Sequence, residues 1–289
     1  MARLVFLVTG GSRGLGREIV KAALAAGHRV VAGARNPERL GDLVAEYGDA
    51  LRPVRLDVTD PAEADAAVAT AVREFGRLDV VVNNAGYADL AAVEDVTLED
   101  FRAQVETNFF GVVIVTKAAL PVLREQGGGR IIQISSVGGR LASPGLGAYQ
   151  AAKAAVGSFS GVLAAETAGL GIKVTVLEPG GMRTDWAGSS MKIPPISQPY
   201  ADTVGARAAI MGRSTLTGDP ARVAAVVLDV AAQPDPPLRL LLGSDAYTYA
   251  TAAARAQLAS DESHHALSIS TDHPEATEAD RDPLGPLAP

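Results

Sequence analysis

Tyr149 and Lys153 stand at i and i+4 in the run Ala148-Tyr149-Gln150-Ala151-Ala152-Lys153. On a helix these positions share a face, so a phenol and an ammonium point the same way. A free tyrosine, with a pKa near about 10, is a poor base at neutral pH. A nearby lysine ammonium favours the phenolate and brings the hydroxyl towards the range in which a general acid/base works. Ser136 closes the apolar run Ile131-Ile132-Gln133-Ile134-Ser135-Ser136, a short distance before the tyrosine. Its hydroxyl would hold a substrate oxygen in line with the phenol. Such a trio suits proton transfer at a carbonyl or alcohol oxygen, given a partner that moves the hydride.

That partner is implied near the start of the chain. Residues 9–16 read Thr9-Gly10-Gly11-Ser12-Arg13-Gly14-Leu15-Gly16, after an apolar run and before an Ala-rich one. A glycine-rich loop between a strand and a helix is the context for dinucleotide binding. Gly10 allows the tight turn, Gly14 a close approach to pyrophosphate, and Gly16 close packing of helix on strand. Ser12, Arg13 and Leu15 complete the loop, and the helix N-terminus offers N–H groups and a positive dipole end. The next apolar run, Val30-Val31-Ala32, ends at Gly33-Ala34-Arg35. An NAD site usually has an acid there for the ribose 2′-hydroxyl. Arg35 instead offers a fork for a 2′-phosphate, with Arg13 able to approach from the other side. NADP(H) is the predicted cofactor.

These groups need a scaffold. Short apolar runs (Leu4–Val8, Val30–Ala32, Val54–Leu56, Val80–Val82, Ile131–Ile134, Val174–Leu177, Leu238–Leu242) alternate with helix candidates (Gly16–Ala26, Glu38–Tyr47, Pro61–Phe75, Leu98–Leu123, Tyr149–Ala168, Pro220–Ala232). This alternation predicts an α/β fold: a single-domain, doubly wound parallel sheet of about seven strands with helices on both faces. The runs are almost wholly apolar, as strands buried on both sides must be. Asp60 before Pro61 is the predicted cap of the third helix, which leaves Asp57 free for another task.

The loop spacing T-G-x-x-x-G-x-G, together with Asn83-Asn84-Ala85-Gly86, Tyr149-x-x-x-Lys153 and Pro179-Gly180-Gly181-Met182-Arg183-Thr184, resembles the short-chain dehydrogenase/reductase family. The resemblance covers about residues 4–245. It implies an oxidoreductase of the Rossmann type in which Asn108, Ser136, Tyr149 and Lys153 form a catalytic tetrad. Lys153 would also bond the nicotinamide ribose, and Asn108 would hold a water linking Lys153 to solvent. Asp57, beside Val58, would accept from the adenine amino group. Ala34 would stand where relatives carry the acid. The backbone of Asn84, Ala85 and Gly86 would lie beside the cofactor, and Gly180, Met182 and Thr184 would hold the carboxamide. Relatives of this kind form homodimers or homotetramers by pairing the two long helices that carry Asn108 and Tyr149.

The remaining features bound the reading. The chain has 289 residues, is 47% hydrophobic and 20% charged, and has a net charge of −7. This is a globular composition that does not favour binding to nucleic acid or to an anionic membrane surface. With no cysteine, thiolate catalysis and disulfides are excluded. His28, His264, His265 and His273 are too scattered for a zinc site. The expected location is the cytoplasm. The catalytic domain is read as residues 1–250, with a substrate lid at 185–219. Trp186, Met191, Ile193 and Ile196 in that lid either line an apolar substrate site or pack the lid onto the sheet. Residues 251–289 read as a loosely ordered extension. The expected activity is hydride transfer between NADP(H) and an apolar carbonyl or alcohol. The alternatives are an NAD-dependent alcohol dehydrogenase of the same family and a non-catalytic NADP-binding redox sensor. The last would leave Tyr149 and Lys153 without a task.

Overall fold

In the strand VFLVT every side chain is buried, and its alternation sends them to two different layers. Phe6 and Val8 pack with Ile19, Val20, Val223 and Val227 on one face of a sheet. Val5 and Leu7 pack with Val68, Val115, Ala119 and Leu163 on the other. The computed structural model describes residues 3–183, 191–211 and 216–282. Its strands are β1 (Val5–Thr9), β2 (Arg29–Ala34), β3 (Leu51–Arg55), β4 (Val80–Asn83), β5 (Gly129–Ile134), β6 (Ile172–Pro179) and β7 (Arg239–Leu242). They form one parallel sheet in the order β3-β2-β1-β4-β5-β6-β7. Helices α1 (Gly14–Ala25), α2 (Gly41–Tyr47) and α8 (Pro220–Ala232) cover the first face, and α3 (Pro61–Phe75), α5 (Gly111–Glu125) and α6 (Gly147–Thr167) the second. The doubly wound Rossmann architecture expected from the sequence is the one observed.

Three elements differ from expectation, each for a local reason. Strand β3 begins at Leu51, not Val54, and includes Pro53. It is the edge strand, where a missing N–H costs no ladder bond. The long helix expected from Leu98 is divided into α4 (Leu98–Val105), a π-helical turn at Glu106–Phe110, and α5. Such turns occur often at functional positions, and this one holds Asn108. The segment expected to be loosely ordered contains helix. The Ala-rich α9 (Ser244–Ser263) runs through its start, followed by α10 (His265–Ile269). Alanine propensity explains helix formation there with little burial, since only Ala246 and Ala250 of α9 are buried. Residues 251–289 separate from 1–250 as a second unit.

The turn from β1 into α1 is set by glycine. Gly10 has φ +65°. A Cβ on Gly16 would lie 2.2 Å from the Gly10 carbonyl oxygen and 2.5 Å from Asn84 Nδ2. Because the first of these is backbone, Gly16→Ala should lower the unfolding free energy by about 1–3 kcal/mol. The urea midpoint is the measurement. A wild-type midpoint in the variant would contradict the close helix–strand approach.

Candidate active site

The carboxyl ends of β1, β4, β5 and β6 open onto one cavity of about 1490 Å³. A single drug-sized ligand occupies roughly 300–1,000 Å³, so this cavity has room for a dinucleotide and a second molecule. At one end is the glycine loop with Gly10, Ser12, Arg13, Gly14, Leu15 and Gly16. Helix α1 starts there with Arg13 at its N-cap and no side chain bonded to its first N–H groups. Helices α3, α4 and α8 start instead on Asp60, Thr97 and Asp219, each accepting from the backbone. The opening of α1 therefore fits a phosphate, as helix N-termini do. Gly10 and Gly14, both with positive φ, shape the cradle.

Beside it, Ala34 is buried while Arg35 is exposed at the cavity wall. Asp57 lines the same end. Its Oδ1 accepts from the Thr59 N–H at 3.1 Å and from the Thr59 hydroxyl at 2.8 Å. Its carboxyl is held below the ordinary carboxylate range: burial works to raise it, but the Thr59 bonds and the charges of Arg35 and Arg55 outweigh that. Asp60 caps α3 through Ala62 N–H and Glu63 N–H, as expected. Val58 is buried and lines the cavity wall too.

The centre is built by hydrogen bonds across the sheet. The Thr9 hydroxyl oxygen accepts from Asn84 N–H at 2.9 Å and Ala85 N–H at 3.0 Å, and Asn84 Nδ2 donates to the Thr9 carbonyl at 2.9 Å. Asn83 Nδ2 donates to Gln133 Oε1 and Thr116 Oγ1 beneath them. Gly86 is then wedged between two functional side chains. A Cβ there would meet Asn108 Oδ1 at 2.6 Å and Lys153 Nζ at 3.5 Å.

Tyr149 and Lys153 are both buried on α6, with Lys153 Nζ 5.7 Å from the phenol ring centre. Lys153 Nζ donates to the Ile134 carbonyl at 2.9 Å. Ser136 hydrogen-bonds Tyr149 through the side chains, and its oxygen accepts from Gly138 N–H at 3.0 Å. The loop after Ser136 is anchored by Arg140, which pairs with buried Glu178 on β6; Arg239 pairs with the same carboxylate. Gly180 and Met182 follow that strand at the cavity wall.

Two expectations change. Burial pushes the Tyr149 phenol up to about 12, opposed only in part by the Ser136 hydrogen bond. Burial also brings the Lys153 ammonium down to about 8. Desolvation, not the lysine charge, is thus the larger influence on the phenol. Asn108 is fully buried, but its side chain is committed to backbone: Nδ2 donates to Tyr87 and Gln104 carbonyls at 2.8 Å, and Oδ1 accepts from Tyr87 N–H at 3.2 Å. A water held by Asn108 would have to use its main chain.

Every described site residue expected from the sequence reaches this cavity; Thr184 and Trp186 lie outside the described residues. Of the other lid residues, Met191 and Ile196 pack against the cluster containing Tyr149, and Ile193 is exposed. The apolar wall comes from Leu141, Pro144, Leu146, Ile210, Met211 and Leu216. None of these carries a local motif. Asp245, on the first turn of α9, was also missed; its Oδ2 accepts from Gly181 N–H at 2.8 Å and fixes the loop after β6. Only the pairing of β7 with β6 brings it there.

Comparison with known proteins identifies the family. The family model for short chain dehydrogenase matches residues 4–193. Oxidoreductase BOA17 of Botryotinia fuckeliana is 54% identical over 92% of this chain and 98% of its own. Among solved structures, a short-chain dehydrogenase from Streptomyces avermitilis superposes with a TM-score of 0.89 at 39% identity, covering 94% of this chain and 100% of that one. A serine dehydrogenase complexed with NADP+ has a TM-score of 0.73 at 31% identity, covering 83% and 94%. A 3-ketoacyl-(acyl-carrier-protein) reductase from Brucella melitensis complexed with NADH has a TM-score of 0.70 at 28% identity, covering 83% and 96%. The chain belongs to the short-chain dehydrogenase family. It is an oxidoreductase that uses a nicotinamide cofactor on a small molecule.

The two shifted groups predict a pH signature. Lys153 binds its proton more weakly folded, at about 8, than unfolded, near its ordinary 10.5. The unfolded chain therefore carries more protons between those values, and unfolding free energy rises with pH there. Tyr149, raised to about 12 from 10.0, acts the opposite way above its ordinary value. Urea titrations between about pH 8 and pH 10 should show an unfolding free energy that rises with pH, a rise that Lys153→Met lacks. Parallel profiles for the two proteins would exclude the burial effect.

Proposed function

We propose that this enzyme is an NADP(H)-dependent carbonyl reductase, or alcohol dehydrogenase in reverse, acting on a compound with an apolar body. The observation that carries the reading is the Ser136–Tyr149 hydroxyl pair, backed by Lys153, in the cavity that the open N-terminus of α1 also lines. The bound nicotinamide supplies or accepts the hydride. Ser136 holds the substrate oxygen, and Tyr149 gives that oxygen its proton as the carbonyl becomes an alcohol. A phenol kept protonated by burial suits the reductive direction. Lys153 steadies the phenolate that remains and would bond the ribose of a bound cofactor; its lowered affinity for a proton lets it pass one on at moderate pH.

The preference for NADP(H) rests on the buried Ala34 and the exposed Arg35 at the end of β2, with Arg13 on the facing loop. No acid occupies the position that would repel a 2′-phosphate. Asp57 competes for the Arg35 charge, yet lies one strand further out and suits the adenine. Self-association would use the long helices: Phe110 and Val162 are large apolar residues exposed on them.

Two measurements test this reading. In a fluorescence titration, NADPH should bind more tightly than NADH. Arg35→Ala should weaken NADPH about ten-fold or more, the value of one or two charge-assisted hydrogen bonds, and leave NADH unchanged. Equal binding of the two cofactors by the wild type would overturn the cofactor choice. Tyr149→Phe should still bind NADPH but lose about 10²–10⁴-fold in turnover of ketones. Full activity in that variant would remove Tyr149 from the chemistry.

A further inference from the structure

The cavity that holds the catalytic trio is also walled by the helical segment ending in α7 (Ala206–Met211). Thr203, Ala206, Arg207, Ile210 and Met211 line it at i, i+3, i+4, i+7 and i+8, one stripe of a helix. On its adjacent side, Val204, Ala208 and Met211 belong to the cluster that includes Tyr149. The stripe is apolar or neutral apart from Arg207. That guanidinium is partly buried, and its Nε is sealed from solvent with no hydrogen-bond partner. No ion pair engages it among the described residues. Asp202, on the same wall, is exposed and is not paired with it.

A buried donor without an acceptor is costly and is the exception in folded proteins. Here the residue lines the cavity in which the proposed substrate reacts, and its terminal nitrogens, which are not sealed from solvent, carry no hydrogen bond among the described residues. We propose that Arg207 is a specificity residue that receives a carboxylate on the substrate, so that the enzyme acts on oxo acids or hydroxy acids with an apolar chain between the reacting carbon and the acid. A guanidinium holds a carboxylate through a two-pronged fork. Leu141, Pro144, Ile210 and Leu216 provide apolar surface for the chain between. Arg207 is the one cation lining this lid wall among the described residues, which matches a monoanion better than a phosphate dianion. The proposal rests on the catalytic reading above, because it takes the cavity beside Tyr149 as the substrate site.

The test uses binding, so that it can fail separately from the redox reading. Calorimetric titration of decanoate and of decanamide into the NADP+-saturated protein compares an anionic and a neutral probe of equal length. The wild type should favour decanoate by at least about ten-fold, equivalent to about 1.4 kcal/mol. Arg207→Met should abolish that preference, with the affinities for decanamide and NADP+ unchanged. The proposal is overturned if decanoate has no advantage in the wild type, or if Arg207→Met weakens both probes equally. It is also overturned if the variant loses NADP+ affinity, which would assign Arg207 to the cofactor's phosphates. If the protein does not bind NADP+, the cofactor reading has failed; the same two titrations on the protein alone still decide the role of Arg207.

Discussion

The Thr9–Asn84 clamp is the interaction on which the site depends. Strands β1 and β4 are sheet neighbours, yet the chain leaves β1 for α1 on one face and leaves β4 for α5 on the other. Diverging connections open a crevice at the strand ends, and a crevice strands the last backbone donors of both strands. One threonine hydroxyl takes two of them, Asn84 N–H and Ala85 N–H, while the asparagine amide returns a bond to the Thr9 carbonyl. The cluster is so tight that a Cβ on Gly10 would stand 3.0 Å from the Ala85 Cα. The glycines follow from the clamp: with β1 and β4 drawn together beyond their ladder, only backbone fits between the loop and the opposite turn.

Behind that clamp the chemistry is governed by burial. A phenol and an ammonium in water would differ little in pKa. Enclosed together they move in opposite directions, the phenol upward and the amine downward, because each charged form has lost its solvent. Desolvation therefore favours a neutral pair. The Lys153 bond to the Ile134 carbonyl holds the amine in place whichever form it takes. A neutral phenol is able to donate its proton, and a positive charge brought nearby would shift the balance towards phenolate. An enclosed pair of this kind is more sensitive to a neighbouring charge than a solvated tyrosine would be.

Much of this was legible in the sequence because the controlling contacts are short in sequence or are fixed by sheet topology. The glycine loop, the Asp60–Pro61 cap and the Tyr149–Lys153 face are local patterns. The apolar runs located all seven strands. What escaped depends on tertiary context. The start of β3 was hidden by Pro53, which is tolerable only because the strand is an edge. The division of the long helix at Glu106–Phe110 leaves no mark in hydrophobic spacing. The direction of the Tyr149 shift was misjudged because sequence shows the lysine but not the degree of enclosure. The apolar residues of the lid attracted attention, but Met191 and Ile196 proved to be packing. Asp245 reaches Gly181 across a sequence distance that no local motif encodes.

The two ends of the cavity are made of different material, and this bears on how one scaffold can serve many substrates. The glycine-loop end is held by backbone and side-chain bonds within the sheet, where a change disturbs the clamp. The segment 191–211 at the other end is fastened differently. Asp89 Oδ1 accepts from Lys192 N–H, Asp95 Oδ2 accepts from Ser197 N–H, and Leu90 N–H bonds the Lys192 carbonyl. These anchors grip the lid by its backbone, so they do not depend on which side chains it carries. Beyond them, Val204 is buried in the Tyr149 cluster and Ala208 and Met211 pack against it, which sets α7 in place. A residue such as Arg207 can then be replaced without loosening either the anchors or the clamp. The chemistry of the far wall is therefore set by side chains that the anchors and the clamp do not use.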